Sequence, residues 1–279
     1  MALKYPYYPG CTLHEKAANF DRSARDVSRE LGIELDELEE WQCCGAVYPL
    51  SSDGLFPMAS PLRNLVRAEE IGDTMVTLCS ACYNVHKRVD YLVKEDEEIL
   101  ERINSYNRED EYDRGVEVRH LIEVMRERGF DKIAGATSRD LSEITAAPYY
   151  GCLLLRPGEV LQFDDPESPK IFEELLESLG CQVADYPNKG ECCGAYATVH
   201  MEKPPEAPIR SIVESARKRG ADLLAVSCPL CHYNLKECQS NIAEREPGFN
   251  EIPVVYFTEL MEYAFGLSDE LSDLELRVK

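Results

Sequence analysis

The feature that most constrains this chain is that it repeats itself. Pro6-Tyr7-Tyr8-Pro9-Gly10-Cys11 near the start returns as Pro148-Tyr149-Tyr150-Gly151-Cys152 beyond the midpoint, and both copies then pass the same landmarks in the same order. Cys-Cys-Gly-Ala stands at 43–46 and at 192–195, Ser60-Pro61 and Ala207-Pro208 each open a helical stretch, and Cys79-Ser80-Ala81-Cys82 is matched by Cys228-Pro229-Leu230-Cys231. Between Cys11 and Cys43 lie 31 residues and between Cys44 and Cys79 lie 34; the second copy has 39 and again 34. A self-similarity on this scale divides the chain before any other reading applies. We expect two tandem homologous domains, 1–140 and 141–279, joined near Gly135 to Ala147.

Periodicity predicts the elements of each copy. Phe20, Ala24, Val27 and Leu31 share one face of a helix over Glu15 to Leu31, as do Ile171, Leu175 and Leu179 over Pro169 to Leu179. The apolar runs Thr74 to Leu78 and Leu223 to Ser227 each follow a helix that ends at a glycine, Gly72 or Gly220, and lead into a Cys-x-x-Cys pair. Such runs read as buried parallel strands. A further strand and helix close each copy, Val116 to Val118 into Leu121 to Met125, and Pro253 to Val255 into Thr258 to Met261. The expected fold class is α/β: two copies of a mainly parallel sheet flanked by helices, related by pseudo-twofold symmetry. The acidic stretch Lys94 to Asp113 has no counterpart in the second copy and is expected to be a solvated excursion.

Composition narrows the chemistry. A formal charge of -22 repels phosphate backbones and anionic lipid surfaces, so nucleic acid is not an expected partner. No apolar run is long enough to span a bilayer, and Met1 to Pro6 lacks the pattern of a signal peptide, so we expect a cytoplasmic protein without direct membrane insertion. In that compartment the twelve cysteines stay reduced, and metal binding or redox chemistry explains them better than disulfides do.

Ten of the twelve fall in the repeated pattern, five to a copy. A structural zinc uses four ligands and an ordinary cubane iron–sulfur cluster uses four terminal thiolates, so five per copy points away from both. A cluster in which one thiolate bridges two irons, or one iron carries two thiolates, has use for five, and the adjacent cysteines suit neighbouring irons. The Cys-x-x-Cys pairs follow strands and open helices, where open α/β sheets place ligands and where helix N-termini favour anionic thiolates. Gly45 and Gly194, after the cysteine pairs, are read as sites of close backbone approach or positive φ, with ordinary turn glycines as the alternative.

These residues resemble the CCG-domain family, and within it the B-type subunits of heterodisulfide reductase, over nearly the whole chain from Tyr5 to about Gly266. The resemblance implies a noncubane [4Fe-4S] cluster in each repeat, one held by Cys11, Cys43, Cys44, Cys79 and Cys82 and the other by Cys152, Cys192, Cys193, Cys228 and Cys231. It further implies an oxidoreductase that cleaves the coenzyme M–coenzyme B disulfide or a related small disulfide between two clusters, in two one-electron steps. Electrons would come from a flavin-containing A-type subunit through a ferredoxin-type C subunit, since this chain has no ferredoxin Cys-x-x-Cys-x-x-Cys run. Its first repeat reads Cys-Cys-Gly where methanogen subunits often have proline, which leaves the disulfide itself open. The alternatives are an electron relay to another enzyme or membrane subunit, and a zinc-stabilised scaffold.

Among other residues, His14, His86 and His232 lie within four positions of a motif cysteine and are candidate catalytic proton donors to a nascent thiolate, capping or surface histidines being the alternative. His120 and His200 have less claim. Tyr8 and Tyr150 precede the first cysteine of each copy and either line a cleft or are strand tyrosines packed in the core. Cys181, aligned with Ile33, and Cys238, with no counterpart, are read as small hydrophobes and not as ligands. Trp41 is either a water shield beside Cys43 or packing.

Overall fold

The computed structural model describes residues 3–46, 54–106, 111–198 and 205–271. Each half is built on one four-stranded, wholly parallel sheet. The first comprises β1 (Leu3–Tyr8), β2 (Ile33–Glu37), β3 (Thr74–Thr77) and β4 (Glu117–His120) in the order β2-β1-β3-β4. The second comprises β5 (Thr145–Tyr149), β6 (Gln182–Val183), β7 (Leu223–Val226) and β8 (Val254–Tyr256) in the order β6-β5-β7-β8. Both sheets have helices for their crossovers, as parallel pairing requires. The expected α/β class, two mainly parallel sheets flanked by helices, is observed, with four strands in each sheet and every pairing parallel.

Strand order decides where a site can form. The chain leaves β1 for β2 on one side, then crosses back to β3 on the other side of β1. The paired strands β1 and β3 therefore flank a switch point, and ligands of open α/β sheets bind beyond the carboxyl ends of such strands. Tyr8 pairs with Thr77 at that end, and Tyr149 pairs with Val226 in the second sheet. Cys11 and Cys79, and Cys152 and Cys228, follow within a few residues.

The predicted helix over 15–31 starts three residues later than expected. A single turn, α1 (Cys11–His14), closes with Ala17 N–H donating to Thr12 O at 2.8 Å before α2 (Ala18–Glu30) begins. α3 (Ala59–Glu69) and α4 (Ser80–Glu95) follow as expected. The stretch 94–113 differs from expectation. It includes α5 (Glu97–Tyr106), which buries Leu100 and Ile103, and Tyr112, whose buried hydroxyl donates to Asp90 at 2.7 Å. Its acidic residues mask an amphipathic face that packs on α3 and α4.

The halves are joined by reciprocal packing. α6 (Leu121–Arg128) and α7 (Phe130–Ala136) of the first half lie on α9 (Ile171–Ser178) of the second, and α13 (Phe257–Ala264) of the second lies on α2 of the first. At the α2–α13 contact Phe20 stacks on Tyr256 with ring centroids 4.2 Å apart and meets Phe257 edge-on, and Ser23 Oγ bonds Thr258 Oγ1 at 2.6 Å. Each half covers its opening helix with the closing helix of the other, so neither core is complete alone.

His120 shows how a polar side chain is absorbed into that core. Fully buried at the start of α6, it accepts from Ile122 N–H through Nδ1 at 3.3 Å and engages Leu78 O through Nε2 at 2.7 Å. Loss of hydration lowers its pKa to about 4.

Two outcomes follow from this packing. Phe20→Ala should cost about 3–5 kcal/mol of stability, read from the urea midpoint under anaerobic conditions, because it removes a buried ring at the junction of the halves. His120 must stay neutral in the fold but protonates near pH 6.5 once unfolded, so its stabilisation is complete above that pH and lost as pH falls towards 4. His120→Asn, which keeps a capping oxygen, should therefore lose less stability than wild type between pH 7 and 4, by roughly 3 kcal/mol at about 1.4 kcal/mol per unit. Parallel unfolding curves at the two pH values check this.

Candidate metal centre

The ten repeated cysteines converge at the carboxyl ends of the two sheets. In the first half Cys11 heads α1, Cys43 and Cys44 stand in the segment after β2, Cys79 caps α4 and Cys82 lies in its first turn. Sγ of Cys11 is 3.7 Å from that of Cys43, and Sγ of Cys44 is 3.4 Å from that of Cys82. Cys11 and Cys43 are exposed, whereas Cys44, Cys79 and Cys82 are buried. The group thus has an open edge and a closed floor.

Backbone geometry aims donors at these sulfurs. Gly45 has φ +76° and Ala46 φ +52°, and their N–H groups point at Cys43 Sγ (3.4 Å) and Cys44 Sγ (3.3 Å). Successive inward N–H groups make a nest that favours negative charge. Thiol contacts from Cys43 and then Cys82 hold Cys44 well below the usual thiol range. At Gly10, φ is +78°, a conformation that favours glycine, and an added Cβ would crowd Cys82 Sγ at 3.1 Å.

Tyr8 braces the pair from below. Its ring is fully buried, its hydroxyl donates to Gln42 O at 2.9 Å and accepts Cys44 N–H at 2.9 Å, and Asn64 clamps the other side of Gln42 through its N–H and C=O at 2.8 Å each. Neither Gln42 nor Asn64 has any signature in the cysteine spacing, and the sequence alone does not find them.

The second half reproduces the arrangement with its own supports. Cys193 Sγ lies 3.3 Å from Cys231 Sγ, Gly194 N–H points at Cys192 Sγ at 3.3 Å with φ +83°, and Cys228 caps α12 (Pro229–Arg245). The Cys152 thiol, followed by the Gly194 and Ala195 N–H groups, draws Cys192 down to about 6. The tyrosine equivalent to Tyr8 is Tyr149, not Tyr150: its hydroxyl donates to Glu191 O at 2.7 Å, the carbonyl just before Cys192. Counting back from the shared Gly-Cys without a gap sets Pro9 against Tyr150 and Tyr8 against Tyr149. Tyr150 instead joins Glu173 and Lys189, a buried cluster whose Lys189 carbonyl accepts Tyr150 N–H at 2.9 Å and Gly151 N–H at 3.1 Å.

The histidines take three different places. His86 is fully buried; Nδ1 engages Cys82 O at 2.8 Å and Nε2 engages the Asn64 amide at 3.0 Å, and desolvation lowers its pKa to about 4. His14 is exposed beside Cys11, bonded to Glu37 Oε1 at 2.8 Å and edge-on to Trp41. His232 stacks on Tyr256 at 4.4 Å. Trp41 is half-buried and donates to Glu37 at 3.3 Å. Cys181 and Cys238 are buried, with burial pushing the Cys181 thiol up to about 12. His200 lies outside the described residues.

The two groups of thiols adjoin. Cys79 and Cys228 face one another across the junction of the halves, near enough that Cys228 leads the influences raising the Cys79 pKa. Beside them Ser80 Oγ meets Ser227 Oγ at 2.9 Å, and Ser80 N–H donates to Ser227 O at 3.3 Å. Among the described residues, no three His, Cys, Asp or Glu side chains surround the position of a single metal ion. The close thiol contacts run instead from sulfur to sulfur.

A profile of the cysteine-rich domain called CCG matches residues 5–86 and again 146–236. The chain is 29% identical over 269 residues to the 8-methylmenaquinol:fumarate reductase membrane anchor subunit of Wolinella succinogenes, covering 96% of this chain and 94% of that one. It is 28% identical over 278 residues to the B-type subunit of the ferredoxin:CoB-CoM heterodisulfide reductase of Methanosarcina mazei, covering 98% and 92%. A protein of Archaeoglobus profundus, itself described as similar to the B-type subunits of heterodisulfide reductase, is 28% identical over 280 residues, covering 96% and 92%. In fold the chain is similar to the crystal structure of a hypothetical protein from Helicobacter pylori, with a TM-score of 0.71 at 11% identity over 94% of this chain; it spans about half of that structure, 49%. No helix among the described residues is long and apolar enough to cross a membrane.

The revised tyrosine pairing is directly testable. Tyr8→Phe leaves the buried Cys44 N–H without its acceptor and should cost about 1–3 kcal/mol by urea unfolding, with faster alkylation of Cys44. Tyr150→Phe should leave the alkylation rates of Cys192 and Cys193 unchanged, and a change there would restore Tyr150 as the equivalent of Tyr8.

Proposed function

The chain belongs to the cysteine-rich CCG domain family, and from that premise we propose that it is the catalytic iron–sulfur subunit of a heterodisulfide-reductase-like complex. The observation that carries the reading is the convergence of ten thiols into two groups that adjoin at Cys79 and Cys228. A disulfide has two sulfurs and takes two electrons and two protons to become two thiols, so two adjoining one-electron sites match its stoichiometry.

The donor set fits iron–sulfur clusters. All ten candidate ligands are thiols, the ligand type such clusters use, and inward N–H groups at Cys43, Cys44 and Cys192 favour their anionic form. In this proposal Cys11, Cys43, Cys44, Cys79 and Cys82 hold one noncubane [4Fe-4S] cluster and Cys152, Cys192, Cys193, Cys228 and Cys231 hold the other, in repeats bounded at 1–140 and 141–279. When bound, the clusters supply single electrons and iron to which a sulfur can attach.

The remaining steps belong to the chain's own residues. Tyr8 and Tyr149 fix the carbonyls that precede the cysteine pairs, and Gly10 leaves Cys82 room for its thiolate. In this reading His14, on the exposed edge beside Cys11 and Cys43, gives a proton to a departing thiolate, and its bond to Glu37 supports that role by orienting the ring. His86 holds the first turn of α4 and the Gln42–Asn64 clamp in register, a positioning role in place of proton donation. Stacked on Tyr256, His232 buttresses the second Cys-x-x-Cys turn. The substrate class is a small disulfide, such as that of coenzymes M and B, and the partners are a ferredoxin-type subunit and a flavin subunit that deliver electrons in the cytoplasm. The relative named as a fumarate reductase membrane anchor subunit favours a second reading, in which both clusters relay electrons to another enzyme.

Anaerobic purification with metal analysis tests the first claim: about eight irons per chain are expected, in keeping with two four-iron clusters, and zinc in place of iron would sink it. Cys43→Ala with Cys44→Ala should halve the iron. With a reduced viologen as donor, turnover of a small disulfide to two thiols supports the enzyme, whereas reducible clusters with no such turnover support the relay.

A further inference from the structure

The two sites are not built independently: helix α4, which carries Cys79 and Cys82 of the first, also holds the first cysteine turn of the second. Asn84 lies one turn beyond Cys79 and is buried. Its side-chain amide donates to Leu153 O and to Arg156 O, both at 2.8 Å. These carbonyls belong to the tight turn that starts at Cys152, closed from within by Leu155 N–H at 3.3 Å and Arg156 N–H at 3.0 Å to Cys152 O. One planar amide thus pins that turn at two points.

The hold extends to the cysteine pair of the second half. Arg156 Nη1 donates to Gly190 O at 2.8 Å, two residues before Cys192. On the same first turn of α4, Ser80 grips Ser227, the residue before Cys228, through its hydroxyl and its N–H. Three ligand-bearing segments of the second site, at Cys152, Cys192 and Cys228, therefore connect to α4 by hydrogen bonds. Tyr83 adds a fourth tie, donating to Leu161 O at 2.9 Å.

Among the described residues, the matching positions of the second half carry no reciprocal device. Counting from the first cysteine of each Cys-x-x-Cys pair, the residue equivalent to Asn84 is Tyr233, whose side chain is half exposed at 51%. The residue equivalent to Ser80 is Pro229, which has no N–H to donate. The tie made by Asn84 therefore has no counterpart at Tyr233.

We infer that Asn84, supported by Ser80, is a positioning residue for the second site although it lies in the first half, so that the second site can form only on an intact α4. This rests on the proposed cluster reading, and its test separates the two. Two single-site backgrounds are prepared, one with Cys11→Ala and Cys43→Ala, leaving the second site, and one with Cys152→Ala and Cys192→Ala, leaving the first. Asn84→Ala should abolish iron and its electron paramagnetic resonance signal in the former and leave both unchanged in the latter. Equal loss in both backgrounds, or no loss in the former, overturns the inference.

If neither background holds iron before Asn84 is changed, the cluster reading fails, and the metal-free chain decides the inference. There, Asn84→Ala should speed iodoacetamide labelling of Cys152 at least about tenfold, because two buried hydrogen bonds that keep its turn closed are lost. Cys11 should label at an unchanged rate. Unaltered labelling of Cys152 overturns the inference.

Discussion

Parallel pairing of β1 with β3, and of β5 with β7, is the constraint on which the rest of the molecule depends. Because β2 and β6 are reached first and lie on the far side, each chain half must cross back over its own first strand, and the cleft left beyond that crossing is where the loops end. Three of the five repeated cysteines in each half stand directly behind those two central strands or on the helix that follows them. The adjacent pair is brought in by the tyrosine at the carboxyl end of the first strand, Tyr8 or Tyr149, whose hydroxyl reaches the carbonyl before the pair. Sheet order thus places the thiols, and one hydrogen bond from a strand tyrosine sets the third segment against the other two.

The junction between the halves is where the repetition acquires consequences. A single copy would expose the apolar faces of its opening and closing helices, and the exchange of α6 and α7 onto α9, and of α13 onto α2, covers both at once. That exchange brings the two Cys-x-x-Cys turns nose to nose, with Cys79 beside Cys228 and Ser80 bonded to Ser227. Yet the copies have diverged at the contact. Where the first has Asn84 and Ser80, the second has Tyr233 and Pro229, and where the second carries the buried Lys189–Glu173 pair under Cys152, the first pairs Tyr7 with Asp21 at 2.6 Å and stacks Arg25 over the Tyr7 ring. The local polar networks under the two sites thus differ, and the second site leans in addition on Asn84 and Ser80 of the first half.

Much of the fold and the candidate site was legible from residue order. The repeat, the five-cysteine pattern, the strand runs at 74–78 and 223–227 and the helices that close each half all follow from spacing and periodicity, which are local properties. Legibility failed where local and tertiary preferences competed. The acidic composition of 94–113 concealed Leu100 and Ile103, whose burial depends on α3 and α4 lying opposite. Grouping Tyr8 with Tyr150 as the tyrosines ahead of the first cysteines passes over the extra Pro9 of the first copy. Strand register sets Tyr8 beside Thr77 and Tyr149 beside Val226 instead, and such a shift is settled only once the partner strand is known.

Sequence by itself determined the kind of site: five thiols per copy, a glycine after each adjacent cysteine pair, and two copies in one chain. Those are properties of composition and spacing, and they survive without coordinates. Only the tertiary structure decided how the copies use one another. That Asn84 reaches the turn at Cys152, that His86 is sealed between Cys82 O and Asn64 while His14 stays on the exposed edge, and that Cys79 faces Cys228 are all matters of how separate segments meet. Such contacts are set by how helices and sheets pack to bury apolar surface, and no local pattern of residues encodes which distant carbonyl a given amide will meet.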